Sequence, residues 1–445
     1  MKKWHMIAYS VGSLGTTLSM QCFNTFVPIF YIDRLKLSPA LFGLAMTIYA
    51  IWNAINDPLA GQISDRTRTR WGRRIPYVAF LTVPMVLSFI LVWTPPFSVA
   101  RGQMTQLFLY FTFIICLLDG LWTFVVLNYT SLFPEMYPNE KQRASVSAWR
   151  QVFTVVGLLV GVALPPLLYG PLGWPLTALI FAVVTGVSLL VSLAGSHEAK
   201  EFSQEEPLRL RAALLATFKN KSFLLFLVNN IFVTFVFEML TAAVPFYAKY
   251  VLHVGDMETS ILLAAAFVAA VPTLYLWTRL TQKRGARDAM MWGLIVFCIG
   301  LLPFLLAGSF LTGLLAMLTA SAGLSAMLLL GDLLIADIVD EDELETGRRR
   351  EGMYFGMNGF MIRLGIALKA IVLSATLQVS GYNAYLSEQP ASAQLGMRLL
   401  IGAVPIVALL IALWATWKYP LHGAYLVDVK ERIATLHADK GVVEG

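Results

Sequence analysis

The chain has 445 residues, of which 58% are hydrophobic and 13% charged, about half the charged share of soluble domains. With a mean hydropathy of +0.69, this composition excludes disorder, fibres and a soluble one- or two-domain enzyme, and leaves a polytopic membrane protein. The net charge of +6 reads as membrane topology, with no nucleic-acid partner.

A membrane span takes about 20 apolar residues. Apolar runs predict twelve, at 5–31, 39–62, 75–95, 104–133, 144–169, 173–196, 222–250, 258–281, 286–306, 309–337, 352–380 and 396–418. The expected fold is an all-α membrane protein of two six-helix bundles, 1–196 and 222–418. The longest charged stretch between spans, 197–221, is the linker, and 419–445 is a tail. Tail residues Tyr425 to Leu436 carry apolar side chains at helical spacing, as a helix on the membrane surface or a solvated helix would. Met1-Lys2-Lys3 looks like a signal-peptide start, but the run that follows is too long and lacks a cleavage site, so it reads as a retained first helix. Cys22, Cys116 and Cys298 sit far apart in apolar runs and read as buried thiols.

Cations test the layout. Threaded with the N-terminus inside, inner segments carry 25 Lys and Arg and outer segments 5, which obeys the positive-inside rule and places both termini in the cytoplasm. Outer loops are short and hold no Asn-x-Ser/Thr sequon, which suits a bacterial inner membrane. Cations recur at corresponding inner loops of the two halves, as two parallel repeats of six helices would place them.

Seven ionisable residues fall inside the spans, away from their ends: Asp57, Asp119, Glu238, Asp332, Arg150, Arg363 and Lys369. Each costs about 2.5–3.5 kcal/mol on insertion scales, and such residues usually face a bundle interior or a water-filled pathway. Asn53, Asn56 and Asp57 lie one turn apart on one face of helix 2. A carboxylate with two amides can take a hard cation or a proton. Asp57 and Arg150 fall at matched depth, so a static ion pair between them is the competing reading.

The run Trp52-Asn53-Ala54-Ile55-Asn56-Asp57-Pro58, followed by Gly61, Asp65-Arg66 and Arg70-Trp71-Gly72-Arg73-Arg74, resembles the glycoside–pentoside–hexuronide:cation symporters. These are the melibiose-permease-like branch of the major facilitator superfamily. Arg348-Arg349-Arg350-Glu351-Gly352-Met353-Tyr354-Phe355-Gly356 is a second match, and Tyr247-Ala248-Lys249-Tyr250-Val251-Leu252 a weaker third. The resemblance implies a central cavity, alternating access and solute uptake coupled to a cation. It implies a cation site of two helix-2 aspartates with an asparagine between them, plus a helix-4 Asp and Thr. Here those positions hold Asn53, Asn56 and Asp57, then Thr123, with Val126 at the helix-4 aspartate. Asp119 lies two turns away on the same face. The acidic sugar ligand of helix 1 falls on Thr17. Arg150 matches the helix-5 arginine, and Arg363 the helix-11 lysine.

The expected coupling set is therefore Asp57, Asn53, Asn56, Thr123 and Asp119, taking H⁺ in preference to Na⁺, with Na⁺ at Asp57 the alternative. The expected solute ligands are Arg150, Arg363, Thr17, Glu238 and Lys369. Two arginines without the acidic sugar ligands favour a small anionic or zwitterionic solute, such as a sugar derivative. Asp65, Arg66, Arg73, Arg74, Arg348, Arg349 and Arg350 are the expected gate, a charge latch on the inner side. The chain reads as a monomer in the bilayer, with no cofactor beyond its coupling ion. The five histidines show no metal spacing, and there is no Walker sequence or nucleophile elbow, so an enzyme is not expected. A lysolipid transporter of the same fold and a non-transporting receptor or scaffold are the alternatives.

Overall fold

The computed structural model describes residues 3–137, 140–198, 220–347 and 350–439, with the backbone alone at 65, 134, 140, 141, 144, 352 and 437–439. It contains twelve membrane helices: α1 (Lys3–Pro28), α2 (Pro39–Arg66), α3 (Ile75–Val92), α4 (Met104–Met136), α5 and α6 (the two parts of Glu140–Ala194), α7 (Lys221–Tyr250), α8 (Asp256–Arg284), α9 (Ala286–Leu301), α10 (Phe310–Thr346), α11 (Glu351–Val379) and α12 (Ala391–Lys418). A further helix, α13 (Gly423–Asp439), lies in the tail.

Nine stretches among the described residues are long and apolar enough to cross a membrane, and they cover α3 to α12. Helices α1 and α2 fall short of that measure because they are polar. Helix α1 buries Ser10, Ser13, Thr16, Ser19, Gln21 and Asn24, and α2 buries Asn53 and Asn56. Polar groups are tolerated in lipid only when turned inward and satisfied, and α1 and α2 bury theirs inside the protein.

Local chemistry sets the breaks. Pro28 ends α1, and the chain continues as a π-helical segment, Ile29–Arg34. Helices α5 and α6 are separated by a turn at Gly173, whose φ of 78° suits glycine. Pro171 and Pro175 flank it. Helix α12 starts at Ala391, earlier than the apolar run predicts, and is interrupted at Gly402.

Two compact units result. Unit 1 comprises Met1–Pro207, Gly255–Ala264 and Leu377–Pro390. Unit 2 comprises Leu208–Val254, Ala265–Thr376 and Ala391–Gly445. Within unit 1, α1 packs along α5 and α6, and α4 packs against α2 and α3. The later segments join it through side chains: Tyr382 donates to Asp33 Oδ1 at 2.6 Å, and Ser260 donates to the carbonyl of Ala163. Within unit 2, α9 packs on α10, and α12 on α7 and α9.

The tail helix docks on protein, a contact that neither sequence expectation included. Val429 and Ile433 are buried, and Lys430 Nζ reaches Asp337 at 2.6 Å and Asp340 at 2.8 Å on α10. Burial pulls the Lys430 ammonium down, but the two carboxylates outweigh it and hold it above the ordinary lysine value. A raised pKa means this contribution is complete below the ordinary lysine range and fades only as pH climbs through the raised value. The tail is therefore expected to stay docked at neutral pH. Lys430→Ala should cost no more than about 1 kcal/mol, because Lys430 is half-exposed. The readout is faster limited proteolysis after Tyr419.

Candidate functional site

The coupling residues named from sequence come together in unit 1, where α2 packs on α4. Asp119 is 1% exposed. Its carboxylate accepts from Asn53 Nδ2 at 2.5 Å, Asn56 Nδ2 at 3.2 Å and the Tyr49 hydroxyl at 3.2 Å. Asn56 Nδ2 also lies 2.9 Å from Thr123 Oγ1, and that hydroxyl donates to Asp57 Oδ1 at 3.1 Å. The order Asp119–Asn56–Thr123–Asp57 is thus one hydrogen-bonded chain joining two carboxylates.

Three of these hydrogen bonds converge on Asp119, whereas sequence alone centres the set on Asp57. Asp57 is only half-buried, whereas Asp119 is enclosed. At Asn53, where the resemblance implies a helix-2 aspartate, the amide is turned onto the α4 carboxylate of Asp119. Helical geometry explains the meeting. Tyr49, Asn53 and Asn56 lie three to four residues apart on one face of α2, and Asp119 and Thr123 lie four apart on α4. Tyr49 is the member that sequence reading missed, although its spacing from Asn53 could have found it.

Arg150 lies on α5 in the same unit. Its guanidinium sits over Phe133 at 4.8 Å, Tyr129 at 5.7 Å and Tyr9 at 5.9 Å, and its Nε is 3.4 Å from Ser13 Oγ. The two tyrosines lock each other: Tyr9 donates to the carbonyl of Tyr129 at 2.7 Å and Tyr129 to that of Tyr9 at 2.8 Å. Their rings stack at 4.8 Å. Among the described residues no carboxylate is within ion-pair distance of Arg150, so the static Asp57–Arg150 pair is not formed. A cation held on aromatic faces keeps its charge available.

The other expected ligands divide. Thr17 abuts Gly157 where α1 crosses α5. Arg363 is half-buried on α11 in unit 2. Glu238 and Lys369, also in unit 2, pair at 3.4 Å, with Lys369 1% and Glu238 5% exposed. Asp332, by contrast, is exposed.

Of the gate residues, Arg73 Nη2 and Arg74 Nε share Glu135 Oε1 at 2.6 and 2.8 Å. Glu198 accepts the backbone N–H groups of Arg73, Arg74 and Ile75, each at 2.7 Å, at the start of α3. A carboxylate there satisfies the orphan donors and opposes the helix dipole favourably. Glu198 gave no signal beyond its place in a charged linker. Arg66 is exposed. Arg350 Nε bonds Asp342 at 2.8 Å, and Tyr354 donates to the same carboxylate at 2.8 Å. The side chain of Asp65, and Arg348 and Arg349, lie outside the described residues.

Comparison with known proteins decides the family. The family described as MFS/sugar transport protein matches residues 8–423. The chain belongs to this family. It is 25% identical to the isoprimeverose transporter of Lactiplantibacillus pentosus, over 85% of this chain and 80% of that one. It is 22% identical to a sodium-dependent lysophosphatidylcholine symporter of Gallus gallus, over 93% of this chain and 86% of that one. Among solved structures, a nucleoside transporter superposes with a TM-score of 0.70 at 12% identity, covering 93% of this chain and 100% of that one. The fold is that of a major facilitator transporter. The protein is an integral membrane transporter of the cation-symporter family, not an enzyme.

Proposed function

We propose that the protein is a proton-coupled symporter for a small anionic solute, a carboxylated sugar derivative being the class that fits best. The observation that carries the coupling half is the enclosed Asp119 carboxylate, linked through Asn56 and Thr123 to Asp57. Asn53 Nδ2, Asn56 Nδ2 and the Tyr49 hydroxyl are among the groups that face Asp119. A sodium ion needs several oxygen ligands gathered round it, whereas a proton needs only one carboxylate oxygen. Arg150 carries the solute half, because its charge has no carboxylate partner among the described residues. Arg363 and Lys369 add cationic character in unit 2. Basic segments place both termini in the cytoplasm, most naturally of a bacterial inner membrane, and the Glu135–Arg73–Arg74 cluster then lies on the cytoplasmic side, as a latch would.

A lysolipid substrate is the second reading, since a lysophosphatidylcholine symporter aligns along nearly the whole chain. A phosphate headgroup would use the same arginine. The test is a thermal-shift screen of purified protein against sugars, uronates and lysophospholipids, at two pH values, with and without Na⁺. Stabilisation by a uronate that strengthens on acidification supports the proposal; stabilisation by lysophospholipid with Na⁺ supports the second reading.

Asn53→Asp separates the ions further. It places a second carboxylate 2.5 Å from Asp119 Oδ1 in place of a donor. Two carboxylates that close repel unless a cation or proton lies between them. The variant is expected to melt lower than wild type in Na⁺-free buffer at neutral pH and to recover with added NaCl but not with KCl. Equal melting in both salts would show that α4 does not complete a sodium site.

A further inference from the structure

The basic segment 66–74 between α2 and α3 is shaped by one tight turn. Thr69 and Gly72 pair as an isolated antiparallel bridge, and the nitrogen of Gly72 donates to the carbonyl of Thr69 at 3.2 Å. The Thr69 hydroxyl accepts from the nitrogen of Trp71 at 3.2 Å and donates to the carbonyl of Gly72 at 2.5 Å. Gly72 has a φ of 105°, a conformation that suits glycine. Past the turn, Arg73 and Arg74 face Glu135, and Glu198 holds the backbone behind them. At its tip stand Arg70 and Trp71, both exposed. The tip is therefore fixed from within and presented outward.

Arg70 and Trp71 form one surface with α3. The Arg70 guanidinium lies 4.3 Å from the centroid of the Trp71 ring. Trp71, 50% exposed, packs its ring 5.4 Å from that of Phe80, 58% exposed. Val83, Leu87 and Leu91 follow at helical spacing and are exposed as well. Together they make an apolar stripe about 16 Å long, opposite the face of α3 that packs on α4 and α5. An exposed stripe on so apolar a span is the kind of face that lipid chains cover. Among the described residues, Arg70 has no carboxylate within ion-pair distance. An arginine stacked on tryptophan keeps its N–H edge for an oxyanion. Tryptophan, apolar in body with one polar N–H, sits best at the level of the headgroups. A cation, an interfacial ring and an apolar stripe thus run in line. The chemistry that matches all three is a phosphate joined to an acyl chain.

We propose that Arg70, Trp71 and the stripe from Phe80 to Leu91 bind an anionic phospholipid of the bilayer, with its phosphate on Arg70 and one acyl chain along α3. The headgroup is anionic and not zwitterionic because Arg70 adds a positive charge that a choline would oppose. Bound there, the lipid braces the turn from outside while Glu198 holds it from inside. It therefore bears on the Arg73–Arg74–Glu135 cluster without touching it. The lipid is a resident ligand and not cargo, so the site stands whichever solute the protein carries.

The experiment is a lipid titration of the full-length purified protein in detergent, read as melting temperature. One arm uses dioleoylphosphatidylglycerol and the other dioleoylphosphatidylcholine. Both lipids carry two acyl chains, which keeps this site apart from carriage of a lysophospholipid. Wild type is expected to bind phosphatidylglycerol about five-fold more tightly, the preference that one arginine beside an anionic lipid supplies. Added KCl should narrow that preference. Arg70→Gln should remove it, and Arg70→Lys should keep it. Trp71→Ala should weaken both lipids alike, since its ring meets the chain and not the charge. Both side chains are exposed, so these variants keep the fold. Arg432→Gln removes an equal charge from the tail helix and should behave as wild type. Absence of a preference in wild type would overturn the proposal, as would an undiminished preference in Arg70→Gln or its loss in Arg432→Gln.

Discussion

Asp119→Asn and Asp57→Asn are each expected to abolish solute accumulation against a gradient, while exchange down a gradient continues. The double substitution should be no worse than either single one. The two carboxylates share the hydrogen-bonded path through Asn56 and Thr123, and groups that act as one unit lose their function once. Asparagine keeps the shape of the side chain, removes the charge and turns one acceptor oxygen into an N–H donor, which the Asn56 amide can meet by presenting its oxygen. Because Asp119 is enclosed, losing that charge should leave melting within a few degrees of wild type, about what 1 kcal/mol produces. Accumulation assayed in reconstituted vesicles decides the matter. Full accumulation by Asp119→Asn with none by Asp57→Asn would return the coupling role to Asp57 alone.

Arg150→Ala should weaken apparent affinity about ten- to hundred-fold, equivalent to about 1.5–3 kcal/mol for a charged hydrogen bond. The loss should fall on affinity for an anionic solute and spare its neutral amide. Arg150→Lys should recover part of the charge effect but not all of it, because a lysine ammonium cannot lay a planar face over Phe133 and Tyr129 or bind a carboxylate in fork geometry. A structural arginine would behave differently: its removal would lower melting and leave the ratio of acid to amide affinity unchanged.

These two sites differ in how readable they were. The helices follow from apolar runs with Pro and Gly breaks, and most of the polar cluster between α2 and α4 was visible because Asn53, Asn56, Asp57 and Thr123 carry a family pattern. What a pattern on one helix cannot show is its partner across the contact. Hence Asp119 read as a secondary candidate, Tyr49 went unnoticed, and the Tyr9–Tyr129–Phe133 cage on Arg150 was invisible, being drawn from α1 and α4. Glycines show the same limit. Gly356 and Gly359 have open space where a Cβ would lie, whereas Gly157 and Gly365 sit at close helix crossings. Sequence shows which residues are small or costly; only packing shows which backbone they let approach.

The coupling claim is tested most directly by proton movement itself. Vesicles containing the protein and an internal pH dye, with no Na⁺ present, receive an inward gradient of whichever solute gives the largest thermal shift. The account predicts internal acidification that follows solute entry and disappears with Asp119→Asn. Solute entry with no change in internal pH would contradict it.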